Sequence, residues 1–87
     1  MKAVITVIGK DAVGILAKVS SACARAQANV AEVTQSVLDK YFAMIMIVDI
    51  DHMNCSLEEL KSSIENDVPT MTVHVMHEDI FNSMHRI

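Results

Sequence analysis

The chain has 87 residues with a formal net charge of −4 at pH 7, which allows one domain, over residues 1–87, and leaves no material for a second hydrophobic core. Hydrophobic residues make up 52% of the chain and include seven methionines, more apolar material than a lone small domain readily buries, which indicates an oligomer. The excess of acidic over basic residues disfavours nucleic acid as a partner. Neither a charged leader nor an apolar run of about 20 residues is present, so we expect a cytoplasmic protein without a membrane partner.

The first two predicted elements are a strand over residues 2–8 and a helix over residues 14–28. The strand is rich in β-branched residues and has no polar face, so both of its sides should be covered. Asp11 is the expected N-cap residue of the helix, and Asn29, which tolerates the left-handed conformation, is expected just beyond its end. Apolar residues at three- and four-residue spacing form the buried stripe of the helix: Ile15, Val19, Ala22, Cys23 and Ala26.

A pair of adjacent strands is predicted next, over residues 30–38 and 41–49. Asp39 and Lys40 between them form a two-residue hairpin turn. The second member of the pair carries Met and Ile on both faces and is therefore expected to be central in its sheet. These two strands thus predict an antiparallel pair with one inner and one outer member.

The last third of the chain predicts a helix, a strand and a short terminal helix. Ser56 and Glu59 form a capping box at the start of the second helix, over residues 57–66. A fourth strand follows from residue 70 to 76 or 77. The tail over residues 78–87 places its apolar side chains on one side, as a short amphipathic helix does.

The resulting order β-α-β-β-α-β predicts the α+β class and a specific topology. Right-handed crossover connections convert this order into the ferredoxin-like sandwich. Its four-stranded antiparallel sheet has the strand order 4-1-3-2, with both helices on one face and the short C-terminal helix in addition.

Residue parity along the strands predicts two different faces of the sheet. The odd-numbered set is aliphatic and is expected beneath the helices: Ala3, Ile5, Val7, Val33, Val37, Ile45, Ile47, Val73 and Val75. The even-numbered set mixes Met, hydroxyl groups and one His: Val4, Thr6, Ile8, Glu32, Thr34, Ser36, Phe42, Met44, Met46, Thr72, His74 and Met76. This second face is too apolar to be bare, so either another protein chain or the C-terminal tail is expected to cover it.

The joint between the first strand and the first helix is the most informative stretch, with the sequence Asp11-Ala12-Val13-Gly14-Ile15-Leu16. Glycine near a helix start costs about 0.5–1 kcal/mol relative to alanine. One explanation is a bare backbone that lets a carboxylate or phosphate approach the free N–H groups. The other is that Gly14 only permits close packing or a sharp turn, and local sequence leaves both open.

With this joint and the element order in place, the chain resembles the ACT domain family. The matching segments are the strand 3–9, the joint 11–16, the corner Ala28-Asn29-Val30 and the strand 42–46. It is most similar to the small stand-alone ACT proteins of bacteria and archaea and to the ACT halves of the glycine cleavage system repressor. Many amino-acid-binding members have proline where this chain has Val13, so the preset φ of proline is missing here.

The resemblance implies a non-catalytic regulatory module without a cofactor that binds an amino acid at a homodimer or higher homo-oligomer interface. The implied ligand-binding residues of one subunit are Asp11, Ala12, Val13, Gly14 and Ile15. Those of the neighbouring subunit are Asn29 and Val30. Helix N-terminal N–H groups suit a carboxylate, and the amide of Asn29 suits an ammonium or a carboxylate. A regulated protein is a further implied partner.

Other classes of function find weaker support. The four histidines have no nucleophile motif around them, which disfavours a hydrolase. His74 and His77 are three residues apart on a strand and should face opposite sides, so a regular strand cannot bring both to one metal ion, and only a site shared between subunits is left open. RNA-binding domains of this fold stack bases on exposed aromatic residues, which are scarce here. The main alternative is a ligand-free interaction module that regulates a partner enzyme or a transcription regulator.

Overall fold

The computed structural model describes residues 1–10 and 13–84. Its elements are β1 (Lys2–Gly9), α1 (Ile15–Arg25), β2 (Asn29–Leu38), β3 (Tyr41–Asp49), α2 (Leu57–Asp67), β4 (Thr72–His77) and α3 (Glu78–Met84). The four strands form one antiparallel sheet in the order β2-β3-β1-β4. The predicted ferredoxin-like βαββαβ sandwich with a short C-terminal helix is confirmed. Among the described residues, no helix has the length and apolarity needed to cross a bilayer.

The main core lies between the sheet and the pair of helices α1 and α2. The helices contribute fully buried side chains: Ile15, Val19, Ala22, Cys23, Leu60 and Ile64. The hairpin turn at Asp39 and Lys40 joins β2 to β3 as predicted, with Leu38 paired to Tyr41. The short helix α3 lies against β1 and β4.

The predicted parity of β3 is wrong, because the helix-facing side of that strand is the even-numbered one. Ile5 is paired with Met46 and Val7 with Met44, and residues opposite each other in an antiparallel pair share a face. The side chains of β3 beneath the helices are therefore Phe42, Met44, Met46 and Val48, all buried. Ile45 lies on the other side of the sheet, 40% exposed. Parity along one chain carries no information on register, which only pairing decides.

Strand β2 keeps the predicted parity but not the predicted burial. Val33 is paired with Met46 and Val37 with Phe42, so both lie on the side of α1. They are nevertheless 37% and 67% exposed, because β2 is the edge strand. A register shift between Val30 and Glu32 reverses the parity of the first residues, so that Val30 packs against the core.

The ends of α1 differ from the prediction. Its N-cap residue is Gly14 rather than Asp11, and Asp11 itself lies outside the described residues. Its C-terminus is a Schellman motif, in which Gln27 has φ 60°, its N–H donates to the Ala24 carbonyl, and the Ala28 N–H donates to the Cys23 carbonyl. The left-handed residue is therefore Gln27, and Asn29 is instead the first residue of β2.

The start of α2 is the predicted capping box. The hydroxyl of Ser56 accepts a hydrogen bond from the Glu59 N–H at 3.1 Å, and the Ser56 N–H donates to the Glu59 carboxylate at 3.2 Å. The far end of α2 is tied to α1 by Arg25, whose guanidinium contacts the Asp67 carboxylate at 2.5 Å. These contacts hold the two helices in a fixed relation over the sheet.

Candidate functional site

The start of α1 is an open helix terminus built on a left-handed glycine. Gly14 has φ 70° and ψ 9°, a conformation that L side chains adopt at a cost of about 1–2 kcal/mol. A Cβ at this position would meet only Lys18 Cε, at 4.0 Å. Close packing therefore does not explain this glycine, whereas a sharp turn does. Gly14 itself is exposed.

The electrostatics of this terminus favour a negatively charged group. Among the described residues, which leave out positions 11 and 12, no side chain caps the helix at Gly14, and the first turn contains no acidic residue. The first N–H groups of an α-helix lack intrahelical partners and carry partial positive charge. Lys18 adds a full positive charge one turn further along. Within the described residues, this end of α1 has the character of a carboxylate or phosphate site.

The structure does not bring all the predicted ligand-binding residues together within one chain. Gly14 precedes α1, whereas Asn29 and Val30 follow its far end, and a helix of 11 residues is about 16 Å long. Ile15 is buried, so only its backbone is available to a ligand. Val13 is 82% exposed. Asp11 and Ala12 are outside the described residues.

A second concave region lies on the side of the sheet opposite α1 and α2. It is a groove of about 550 Å³ whose floor includes Thr6, Ile8 and Ile45 and whose wall includes Phe81 and Met84 of α3. A shallower cavity beside Lys10 and Tyr41 shares Ile8 with it and continues it toward the β1–α1 joint. We call the two together the trough. Residue parity indicated an apolar face here, but the groove exists only because α3 folds back along the sheet.

The described residues contain no group of three or more His, Cys, Asp or Glu side chains that could hold a metal ion. His74 is exposed on β4, and His77 accepts a hydrogen bond at Nδ1 from the Asp79 N–H at 3.3 Å. Burial raises the pKa of the Cys23 thiol to about 11. A thiol with so high a pKa is a poor nucleophile at neutral pH.

Comparison with known proteins decides the family. The family model for the ACT domain matches residues 2–78. The chain belongs to the ACT domain family. Domains of this family are regulatory, ligand-binding modules. The match covers all four strands, both packed helices and the glycine turn at Gly14, so the resemblance seen in the sequence is confirmed.

Two stand-alone relatives of this ACT domain match it from end to end. A UPF0237 protein of Clostridium perfringens is 44% identical over 92 residues, with all of both chains covered. The solved ACT domain protein from Streptococcus pneumoniae is 34% identical, with a TM-score of 0.78 and 98% of each chain covered. Both are small proteins of about the length of this chain.

Two regulatory proteins contain the same fold as part of a longer chain. The regulatory subunit of aspartate kinase from Thermus thermophilus is 26% identical with a TM-score of 0.64, and the match covers 85% of this chain and 49% of that one. A putative glycine cleavage system transcriptional repressor shares the fold at 16% identity, with a TM-score of 0.70 and coverage of 85% and 44%.

Proposed function

We propose that this ACT domain acts as a single, non-catalytic regulatory module over residues 1–87 and binds an amino acid at the interface of a homodimer. The observation that carries the proposal is the helix terminus at Gly14, where the turn is left-handed and no side chain of the described residues caps the N–H groups. The regulatory subunit of aspartate kinase, which shares the fold, supports a regulatory role. A regulated protein is the further partner that such a role requires.

The chemistry of the site fits the α-carboxylate and α-ammonium groups that amino acids share. The N–H groups of the first turn of α1, which begins at Ile15, would hold the α-carboxylate at the positive end of the helix, beside Val13 and Gly14. The side-chain amide of Asn29 of a second copy would accept a hydrogen bond from the α-ammonium or donate one to the carboxylate. The side chain of Val30, half-buried at the start of β2, would add an apolar contact. Asp11 and Ala12 of the joint belong to the same proposed site.

The sheet edge supplies a reason for a dimer that joins these residues. Nine of the ten residues of β2 are exposed, and a long edge strand carrying exposed valines pairs readily with another strand. Two β2 strands paired antiparallel about a two-fold axis would place the start of one beside the end of the other. Asn29 of the second copy would then lie at the end of the sheet where Gly14 begins α1.

Ligand binding across this interface would regulate the state of assembly. A ligand that contacts both subunits stabilises the dimer relative to the monomer by mass action. The regulated protein would then recognise the change in assembly, or the surface that this change alters. A few-atom ligand of this kind binds with a Kd of about micromolar to millimolar.

The direct test is a calorimetric screen of the twenty amino acids at millimolar concentration. We expect heat from one or a few of them, and loss of that heat in Gly14→Asn, because Asn tolerates the left-handed turn but places a side chain over the N–H groups. Ser62→Asn on the exposed face of α2 is the matched control and should bind as the wild type does. Unchanged binding in Gly14→Asn would contradict the proposed site.

The dimer is tested separately by sedimentation with and without the ligand. Val33→Lys combined with Val37→Lys should yield a monomer with weakened binding, since four lysines would face each other across the two β2 strands. Ser62→Lys adds charge on α2 and should leave the assembly unchanged. A monomeric wild-type protein at high micromolar concentration, in the presence of the bound amino acid, would contradict the dimer.

A second candidate function is a ligand-free interaction module that regulates a partner enzyme or transcription regulator. It is favoured by the exposed apolar side chains opposite the helices, among them Ile8 at 46% and Ile45 at 40%. An absence of heat with all twenty amino acids would favour this candidate. A protein captured from native extract by the wild type and lost in Ile45→Asp would then identify the partner.

A further inference from the structure

The trough has an apolar floor and one raised side. Thr6, Ile8 and Ile45 lie on the floor, where Ile45 is paired with Thr6 across β1 and β3. Met84 of α3 lies along the raised side and is 63% exposed. Val4, further along the same face of β1, is only 1% exposed, because α3 packs against this part of the sheet. The helix thus covers one end of this face and leaves a groove at the other.

The open end of the trough is basic. The ammonium groups of Lys10 and Lys40 each lie 5.9 Å from the centroid of the Tyr41 ring. Tyr41 and Lys10 line the cavity that continues the groove, together with the hydroxyl-bearing Thr70 and Thr72. Cation–π attraction keeps both ammonium groups near the ring. In a chain with a net charge of −4, Lys10 therefore lines the mouth of the apolar groove, and Lys40 lies near the Tyr41 ring that lines the same mouth.

From this juxtaposition we propose that the trough binds an amphipathic carboxylate, a small molecule with one carboxylate head and an unbranched apolar tail. The head would lie between Lys10 and the hydroxyl groups of Thr70 and Thr72. The tail would extend over Ile8 and Ile45 toward Met84. The tail would lie on the side of the sheet opposite α1, whereas the proposed amino-acid site is at the start of α1, so neither proposal depends on the other.

The shape and charge of the trough favour such a ligand over a second copy of the chain. A groove of about 550 Å³ between a sheet and a helix is concave, and the flat face of a second sheet would leave it empty. Apolar concavities with a few polar groups at one end are typical of small-molecule sites. Lys10, which lines the cavity, and Lys40, near the same Tyr41 ring, match the charge of a carboxylate.

The probe is decanoate, titrated below its micelle-forming concentration and followed by calorimetry and by amide chemical shifts. We expect saturable binding, with shifts at Ile8, Ile45 and Tyr41. Octanoate should bind about fourfold more weakly, because each methylene removed takes apolar area out of a half-open groove. Decylammonium has the same tail and the opposite charge, and we expect its Kd to exceed that of decanoate by at least tenfold.

Two variants test the contacts to the carboxylate head and those to the apolar tail separately. Lys10→Gln combined with Lys40→Gln should weaken decanoate about fivefold to tenfold and leave 1-decanol unchanged. Ala43→Phe, on the floor of the groove, should weaken both. Lys61→Gln on α2, on the other side of the sheet, is the matched control and should leave the binding of both decanoate and 1-decanol unaffected. Circular dichroism and melting curves establish that each variant is folded.

Several results would overturn the proposal. Equal affinity for decanoate and decylammonium would show that the lysines do not select the head group. Shifts confined to residues near Gly14 would place the ligand elsewhere. If Ile45→Asp converted an oligomer to a monomer and decanoate had no effect on the wild type, the occupant of the trough would be a second copy of the chain.

Discussion

Gly9, the last residue of β1, packs directly against the side chain of Met71. A Cβ built on Gly9 would lie 2.5 Å from Met71 Sδ and 3.4 Å from Met71 Cα. Met71 is 7% exposed and is held by the turn before β4, where its N–H donates to the Val68 carbonyl at 3.0 Å. A Cβ at Gly9, at the entrance to the β1–α1 joint, would therefore displace the thioether end of the buried Met71 side chain, whereas position 14, at the exit, has glycine for its backbone conformation.

We predict that Gly9→Ala destabilises the protein by about 1–2 kcal/mol, because the new methyl group forces the buried Met71 side chain out of place. Urea unfolding measures the loss. In a Met71→Ala background the same substitution should cost about 0–0.5 kcal/mol, since the clash is gone. Equal costs in both backgrounds would show that Met71 is not the cause.

Gly14→Val is predicted to lower stability by about 1–2 kcal/mol through backbone strain alone, although the space beside Gly14 is open. For a chain of this size, each kcal/mol corresponds to a fall in Tm of about 4–8 °C. Gly14→Asn should lower Tm by less than half as much. If Gly14→Val and Gly14→Asn had the same Tm, the left-handed conformation would not be the reason for glycine at this position.

The ion pair between the N-terminus and Asp51 should give the stability a defined pH dependence. The Met1 ammonium lies 2.6 Å from the Asp51 carboxylate. This hydrogen bond raises the pKa of the α-amino group above 8.0 and lowers the pKa of Asp51 below 3.8. The ion pair therefore contributes its full stabilisation between pH 3.8 and pH 8.0. The contribution is lost as the pH rises through the raised pKa of the amine, and also as the pH falls through the lowered pKa of Asp51.

Titration of the N-terminal amine by NMR tests this pair. In Asp51→Asn the pKa of the amine should return toward 8.0, and the decline of Tm above pH 8 should become shallower. Both partners are exposed, so the change in Tm should be small at high salt. An amine pKa that is the same in wild type and Asp51→Asn would contradict the assignment.

The two thiols are predicted to differ in reactivity. Cys23 is fully buried beside Met46, with its Sγ 3.9 Å from the Met46 Sδ, whereas Cys55 is partly exposed. Alkylation at pH 8, followed by mass spectrometry, should label Cys55 first and Cys23 only as the protein unfolds. Because burial raises the pKa of Cys23 to about 11, the thiol should add to the loss of stability between about pH 9 and 11, and Cys23→Ala should make that loss smaller while the part due to the Met1 amine remains.

Much of the fold was predictable because its signals are local. The capping box of Ser56 and Glu59, the two-residue turn at Asp39 and the apolar stripe of α1 each depend on residues a few positions apart. Asp11 was wrongly preferred as the N-cap because side-chain capping is the commoner way to begin a helix, whereas this helix begins on a left-handed glycine. Likewise, Gln27 rather than Asn29 takes the left-handed position, since the helix ends earlier than its alanine-rich sequence suggested.

The amino-acid sequence by itself determined the order of the elements, the topology of the sheet and the unusual glycine at position 14, because hydrophobic period, capping residues and turn residues act over short distances. Only the tertiary structure decided which face each strand presents. Pairing Ile5 with Met46 turned the methionines of β3 inward and Ile45 outward, and no pattern within a single strand encodes that register. The fold-back of α3, which converts the outward face into a groove, depends in the same way on contacts between residues far apart in the chain.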